Sequence, residues 1–268
     1  MRKRFPTLFA LRQKTPVWAF RAALVLSFAL PLILWAWISH QSFVNPIFVP
    51  KPEEVWEMGR NLLFDQTLWI DVKMSFLRVT FGFLLSAAIA LPLGVLMGSF
   101  QICEGFLQPV TEFIRYVPVP ALIPILMVLF GIEEFSKIML IFIGTFFQLV
   151  LMVADEIRRI PYGLVQVSYT LGARRRDVIE LVLLRAAMPG IFDALRLCNG
   201  WAWTYVIVAE LVAANDGLGY RILKFSRFLQ TPKIWVYLLV LGVIGLALDF
   251  LFRKLHEHLF RWVETAKS

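Results

Sequence analysis

The chain has 268 residues, 59% of them hydrophobic and 15% aromatic, with a mean hydropathy of +0.71. Soluble domains are about 45–50% apolar, so the excess exceeds what a larger core needs, and a membrane protein is the class to test first. The formal net charge of +8 would suggest nucleic acid on a soluble chain. Here no basic face with interleaved aromatics stands outside the apolar runs, so no nucleic-acid partner is expected, and Lys and Arg retained on one side of a bilayer explain the charge.

In chain order, residues 1–16 form a basic tail carrying Arg2, Lys3, Arg4, Arg12 and Lys14. The apolar run 17–39 follows. A signal peptide has an apolar region of about 7–15 residues ending in a small-residue cleavage site; this run is longer and leaves into "SHQSFVNP", so it reads as a retained helix. The stretch 43–54, "FVNPIFVPKPEE", is a proline-stiffened connection. Residues 53–65 predict an interfacial helix with Val55, Trp56, Leu62, Leu63 and Phe64 on its apolar side. A crossing helix needs about 20 apolar residues, and the runs 74–99, 136–154, 191–213 and 234–252 supply four more. The run 113–132, "FIRYVPVPALIPILMVLFGI", is apolar but holds Pro118, Pro120 and Pro124. Each proline removes a donor and clashes with the preceding turn, so a short or broken helix is expected. At membrane depth such backbone survives only under cover of protein or beside a wet cavity.

The expected architecture is therefore all-α, a single membrane domain over 17–255 with about six transmembrane helices, followed by a tail over 256–268. With the N-terminus inside, Arg158, Arg159, Arg174, Arg175, Arg176, Arg185, Arg253, Lys254, Arg261 and Lys267 fall on the cytoplasmic side. The opposite side keeps Lys51, Arg60, Lys73, Lys137, Arg221, Lys224, Arg227 and Lys233. The bias favours both termini inside, although the 213–233 loop is more basic than the rule prefers.

Cys103 and Cys198 have no metal-ligand spacing and read as small hydrophobes. His256 and His258 lack the i,i+4 spacing of helical ligand pairs and read as solvated surface, so no metal is expected.

The cytoplasmic loop 156–190 has its own pattern. Pro161 suits a first helical turn. Leu164, Val167 (or Ser168) and Leu171 recur on one helix face, and Gly172 suits a left-handed stop. A second helix starts near Ala173 or Arg174, carries the i,i+4 pair Arg176–Glu180, and has Pro189 and Gly190 at its far end. A helix, a glycine bend and a charged helix make an elbow that can dock in another protein's groove.

The segment "GLVQVSYTLGARRRDVIELVLLRAAMPGIFDALR" resembles the EAA loop of permease subunits of bacterial ABC importers: Leu171, Gly172 and Ala173 match, and the spacing onward to Leu183 and Leu184 fits. Gln166, Val167 and Ser168 stand where E-A-A is usual, and Arg185 where proline is usual. The segments 75–98, 115–138 and 206–222 resemble the branch carrying nitrate, taurine, alkanesulfonates and bicarbonate, and the resemblance covers roughly residues 45–255. It implies an inner-membrane permease whose elbow is the coupling helix, with Leu164, Val167, Ser168, Leu171, Gly172, Ala173, Arg174, Arg175 and Asp177 facing an ATP-binding subunit. It also implies a second permease copy, two ATP-binding cassette subunits, and an extracytoplasmic solute-binding protein. No G-x-x-x-x-G-K-[ST] occurs in the chain, so ATP and its Mg belong to the partner, and this chain binds no cofactor of its own.

Charges within spans are candidate functional groups. Arg196, Trp203 and Glu210 are spaced by seven, about two helical turns, and project from one side with Asn199 near it. They either line a transport path or gate, or fix packing. Asp193 and Arg196 can pair at i,i+3, Asp249 and Arg253 at i,i+4, and Arg78 is expected near an interface. Around Pro118, Pro120 and Pro124 the broken backbone either lines the central path or only packs. Two rival classes remain. A membrane enzyme needs catalytic sets inside spans, and no His lies in a span. A secondary transporter needs no docking elbow. Within the ABC class, heterocyclic vitamin precursors are the alternative cargo.

Overall fold

A computed structural model describes residues 15–262 except 42–44 and 46; the side chains of 212 and 213 are also left undescribed. The basic tail before residue 15, and Lys267, therefore lie outside the described residues. The described elements are helical: α1 Val17–Ser39, α2 Pro52–Leu63, α3 Gln66–Ser99, α4 Gln101–Arg115, a 3-10 turn Val119–Leu122, α5 Ile123–Phe130, α6 Glu134–Arg158, α7 Tyr162–Thr170, α8 Arg175–Asp177, a π-helical segment Val178–Leu183, α9 Leu184–Ala213, α10 Leu218–Arg227 and α11 Thr231–Leu259.

Four of these, α1, α3, α6 and α11, are long and apolar enough to cross a membrane. The helix pair α4 and Val119–Phe130 bends by 93° at a short break, the short or broken helix that the three prolines predict. The thirty residues of α9 span about 45 Å at 1.5 Å per residue, enough to cross. It is more polar than the other four because it carries Asp193, Arg196, Asn199 and Glu210, and a crossing by α9 requires those groups to find partners inside the protein.

The bundle is built on α3 against α6. Helices in lipid gain little from hydrophobic association, so close backbone approach has to hold them. Gly82, Ser86, Ala90, Gly94 and Gly98 recur at every fourth position of α3, a stripe of small residues on one face. A Cβ at Gly94 would lie 2.6 Å from Val153 Cβ, and one at Gly82 2.8 Å from Ile141 Cβ. α9 then packs on the other side of α6, where a Cβ at Gly144 would meet the Tyr205 ring at 2.6 Å.

α1 stands apart. Its side chains are almost all exposed, as befits a lipid-facing helix. It is anchored at one end, where Trp35 stacks on Trp235 with centroids 4.7 Å apart and donates through Nε1 to the Pro50 carbonyl at 3.0 Å.

The expected interfacial helix is α2: Val55 and Leu62 are buried in the core, and Trp56, Leu63 and Phe64 are exposed. Several other expectations are corrected. Pro189 and Gly190 do not end a helix: α9 runs straight through them, the wide Val178–Leu183 segment leading into it. α11 continues to Leu259, so the last helix takes in part of the expected tail. His256 is partly buried between Phe192 and Phe260, with centroids 6.0 and 5.1 Å away. Cys198 is buried and unbridged, as a small hydrophobe would be.

Candidate functional site

Three places bring functional side chains together: the elbow at one end of the bundle, a cavity at mid-depth, and a polar network at the end opposite the elbow.

At the elbow, α7 ends at Thr170 and Gly172 adopts φ +83°. The Gly172 N–H donates to the Tyr169 carbonyl and the Ala173 N–H to the Ser168 carbonyl, both at 3.0 Å. These two bonds form the Schellman pattern that satisfies a helix end, and a Cβ is disfavoured at the left-handed position. Ser168 thus acts through its carbonyl, while its Oγ donates back to Leu164. The chain restarts at Arg174, whose N–H donates to Asp177 Oδ2 at 3.0 Å, a reach-back that caps α8. Arg176 Nε donates to Glu180 Oε1 at 2.7 Å, which holds the Arg176 guanidinium above its usual pKa. Leu164, Val167 and Leu171 share the outward face and are exposed, Leu171 by 82%. The opposite face, through Val165, Ala173 and Ile179, packs on the bundle. The elbow is therefore mounted on the bundle and presents apolar side chains that no other described residue covers. Arg174 and Arg175 lie exposed beside it, Arg175 over the Phe100 ring at 5.8 Å.

At mid-depth, a cavity of 160 Å³ opens between the α4–α5 bend, α6 and α9. Its polar lining comes from Arg115, Gln148, Trp201 and Tyr205, with Val117, Val119 and Leu122 from the broken segment. Of the expected path residues, Pro118, Pro120 and Pro124 are exposed beside this cavity without lining it. They shape the bend that places Val119 and Leu122. Asn199 is half-buried on α9, away from the lining. Trp203 is buried against Phe76 of α3, and its Nε1 has no hydrogen-bond partner among the described residues.

Glu210 belongs to the network at the opposite end. It is wholly buried, and so is Arg78. Arg78 Nη1 donates to Glu210 Oε1 at 2.8 Å and to the Asp216 carbonyl at 2.9 Å. Nε and Nη2 hold the Glu134 carboxylate at 2.6 and 2.9 Å, and Nη2 also reaches Asp216 Oδ1 at 2.5 Å. Every guanidinium nitrogen is used. Ser75 Oγ donates to Glu210 Oε1 at 2.7 Å and accepts from the Leu218 N–H at 2.9 Å, while the Gly219 N–H donates to Glu210 Oε2 at 2.8 Å. One turn away, Asp71 accepts from the Gly217 N–H, Arg221 Nε and Tyr237 Oη. Gly217, at φ +112°, lies over the Glu210 carboxylate, where a Cβ would be 2.4 Å from Cδ. A buried charge persists only when paired and fully hydrogen-bonded, and the 216–221 turn supplies those bonds. Sequence reasoning missed this hub. The available signal was the count of charges in and beside spans: Asp71, Arg78, Glu134 and Glu210 need partners.

Arg196 also finds a partner on another helix. Its Nε donates to Asp249 Oδ1 at 2.6 Å, whereas Asp193 is 3.7 Å from it on the same helix. Asp249 simultaneously takes Arg253 at 2.5 Å. The pair joins α9 to α11, in line with a packing role for Arg196.

The chain belongs to the family of binding-protein-dependent transport system inner membrane components, whose family model matches residues 90–265. It is a permease subunit of an ABC importer. It is 30% identical over 239 residues to the taurine transport system permease protein TauC of Escherichia coli, covering 87% of either chain. It is 32% identical over 234 residues to SsuC of Bacillus subtilis, whose name assigns it to aliphatic sulfonates transport, covering 87% of this chain and 85% of that one. A chain of the inward-facing MetNI methionine ABC transporter shares the fold, with a TM-score of 0.62 at 23% identity over 74% of this chain and 97% of that one. In this family the ATPase is a separate subunit, and a binding protein delivers the solute. The protein is thus a multi-pass component of the inner membrane.

Proposed function

We propose that this permease imports a small sulfonate-type anion as a two-fold homodimer carrying two ATPase subunits, with both chain ends and the elbow in the cytoplasm. The likeness to TauC and SsuC supports the cargo class. A cavity lined by one cation and neutral donors, without a carboxylate, fits it. The dimer closes one path from two halves. Arg158, Arg159, Arg174, Arg175, Arg176, Arg185, Arg253, Lys254 and Arg261 gather at the elbow end of the bundle, which supports the cytoplasmic assignment. The binding protein then meets the end that holds the Arg78 network. ATP and Mg are handled by the ATPase subunits, and membrane lipid covers α1.

The observation that carries the coupling role is the elbow with an unpartnered apolar face: Leu164, Val167 and Leu171 exposed, and Gly172 left-handed. It seats in a cleft of the ATPase subunit, with Ala173, Arg174, Arg175 and Asp177 at the margin. Replacing Gly172 by Val forces a β-branched residue into a conformation that costs about 1–2 kcal/mol, outside the bilayer. Membrane insertion and yield should stay at the wild-type level, while ATPase binding weakens or ATP hydrolysis no longer drives uptake. A Gly172→Val importer that assembles and transports at the wild-type rate would remove the elbow from the coupling path. Impermeant thiol reagent reaching a cysteine at position 174 from outside intact cells would overturn the orientation.

A further inference from the structure

Arg115 is the last residue of α4 and the only charged side chain lining the mid-depth cavity. It is exposed, its Nη2 donates to Tyr116 Oη at 3.0 Å, and its guanidinium lies 4.9 Å from that ring. Among the described residues it has no carboxylate partner. Glu112, one turn back, instead accepts from Gln108 Nε2 at 2.8 Å. The surrounding walls carry no other charge: residues 116–130, 138–154 of α6 and 197–209 of α9 are all uncharged. Glu210, beyond the last of these, is sealed against Arg78.

The depth matters. Gln148, on the same cavity, is ten residues from the α6 end at Arg158, about 15 Å of helix and so half of a hydrocarbon core of about 30 Å. A cation at that depth is costly unless it faces water, a counter-charge or a ligand. Arg196 and Arg78 satisfy the rule by pairing within the chain. Among the described residues Arg115 does not, and it lines the cavity as an exposed side chain.

We propose that Arg115 is the residue by which this permease selects anionic cargo, with Gln148, Trp201 and Tyr205 completing the contact. This rests on the permease reading above. In a two-fold dimer the two Arg115 side chains face one path, and their mutual repulsion is relieved when an anion sits between them. A guanidinium fork matches the oxygens of a sulfonate or carboxylate, while the amide of Gln148, the phenol of Tyr205 and the indole of Trp201 offer neutral donors. A bare inorganic anion uses only the cation and these donors. An organic sulfonate also uses the apolar wall of Ile143, Phe147 and Leu122, and is the better fit.

The test reads local charge directly. In a chain lacking Cys103 and Cys198, Gln148→Cys places a thiol in the cavity. Its rates with an ethylsulfonate methanethiosulfonate and with its trimethylammonium counterpart are compared, after co-purification with the ATPase subunit shows that the variant assembles. With Arg115 present the anionic reagent is favoured, and Arg115→Gln lowers the anion-to-cation rate ratio about tenfold, while Arg115→Lys restores most of it. An unchanged ratio in Arg115→Gln would overturn the proposal and place the guanidinium on a lipid phosphate or at the subunit contact. A second arm uses proteoliposomes holding the whole importer, with taurine as probe. Uptake falls at least tenfold in Arg115→Gln and is largely kept in Arg115→Lys, and equal uptake in all three would overturn the selecting role. Absence of taurine uptake by the wild-type importer would instead count against the proposed cargo class, leaving the labelling ratio to decide on Arg115.

Discussion

The two ends of the bundle use arginine in opposite ways. At the elbow, Arg174, Arg175 and Arg176 lie exposed beside a left-handed glycine, and only Arg176 has a carboxylate, on its own helix. At the other end, Arg78 is buried, with its donors spent on Glu134, Glu210 and Asp216 from three separate parts of the chain. The elbow is held by backbone hydrogen bonds and keeps its side chains free to meet a partner. The opposite end is held by side chains, helped by the N–H groups of Gly217, Leu218 and Gly219, and leaves no donor of Arg78 free. An end that has to transmit force to another subunit needs a stiff backbone and an unpartnered surface. An end that has to keep a loop fixed over a helix bundle needs the reverse.

Removing Arg78 should break this contrast most visibly. Arg78→Ala leaves the wholly buried Glu210 without its counter-charge, a loss of about 3–5 kcal/mol. Thermal unfolding of the purified chain in detergent should show a large fall in Tm, or the protein should fail to accumulate. A wild-type melting profile would mean that the 216–221 turn does not depend on Arg78. The small-residue stripe comes next. Gly94→Val overpacks the α3–α6 contact and should cost about 1–3 kcal/mol, whereas Gly105→Ala, in the interior of α4, meets nothing within 4 Å and should leave Tm unchanged or slightly raised. Equal effects of the two would refute the close-approach account.

At the elbow the expected stability effects are smaller and the functional ones larger. Arg176→Ala removes a fully exposed ion pair and should leave Tm at the wild-type value. Leu171→Asp should likewise leave Tm unchanged while co-purification with the ATPase subunit is lost; retained co-purification would argue against docking by that face. The smallest effect concerns Asp65, an exposed cap of α3 whose Oδ1 accepts from the Thr67 N–H at 2.8 Å. That bond holds its carboxyl below the usual carboxylate range. A lowered folded-state pKa contributes stability above the unfolded value of about 3.9 and loses it as pH falls through the folded one. Asp65→Ala should therefore flatten the acid limb of the stability profile slightly; an identical limb would show that the cap is not felt.

The elbow was legible because its rules are local. Pro161, the 164–167–171 spacing, Gly172 and the Arg176–Glu180 pair each act over a few residues, and turn and capping chemistry operates over that range. The prolines of 113–132 announced a break for the same reason. The α3 stripe at 82, 86, 90, 94 and 98 was equally readable, but small residues at fourfold spacing do not register in a scan for apolar runs.

The sequence alone determined that this chain is a helical membrane protein with a glycine-bent elbow, because hydropathy over about twenty residues and backbone conformation at single glycines and prolines are properties of short segments. Only the tertiary structure decided which charges are satisfied and which are not. Glu210 and Ser75 are 135 positions apart, and Arg196 and Asp249 are 53 apart. No periodicity links such pairs; helix packing at small-residue contacts brings them together. The same packing leaves Arg115 on an open cavity wall without a carboxylate, because a group's need for a partner is written in its residue type, and whether that need is met depends on which helix stands next to it.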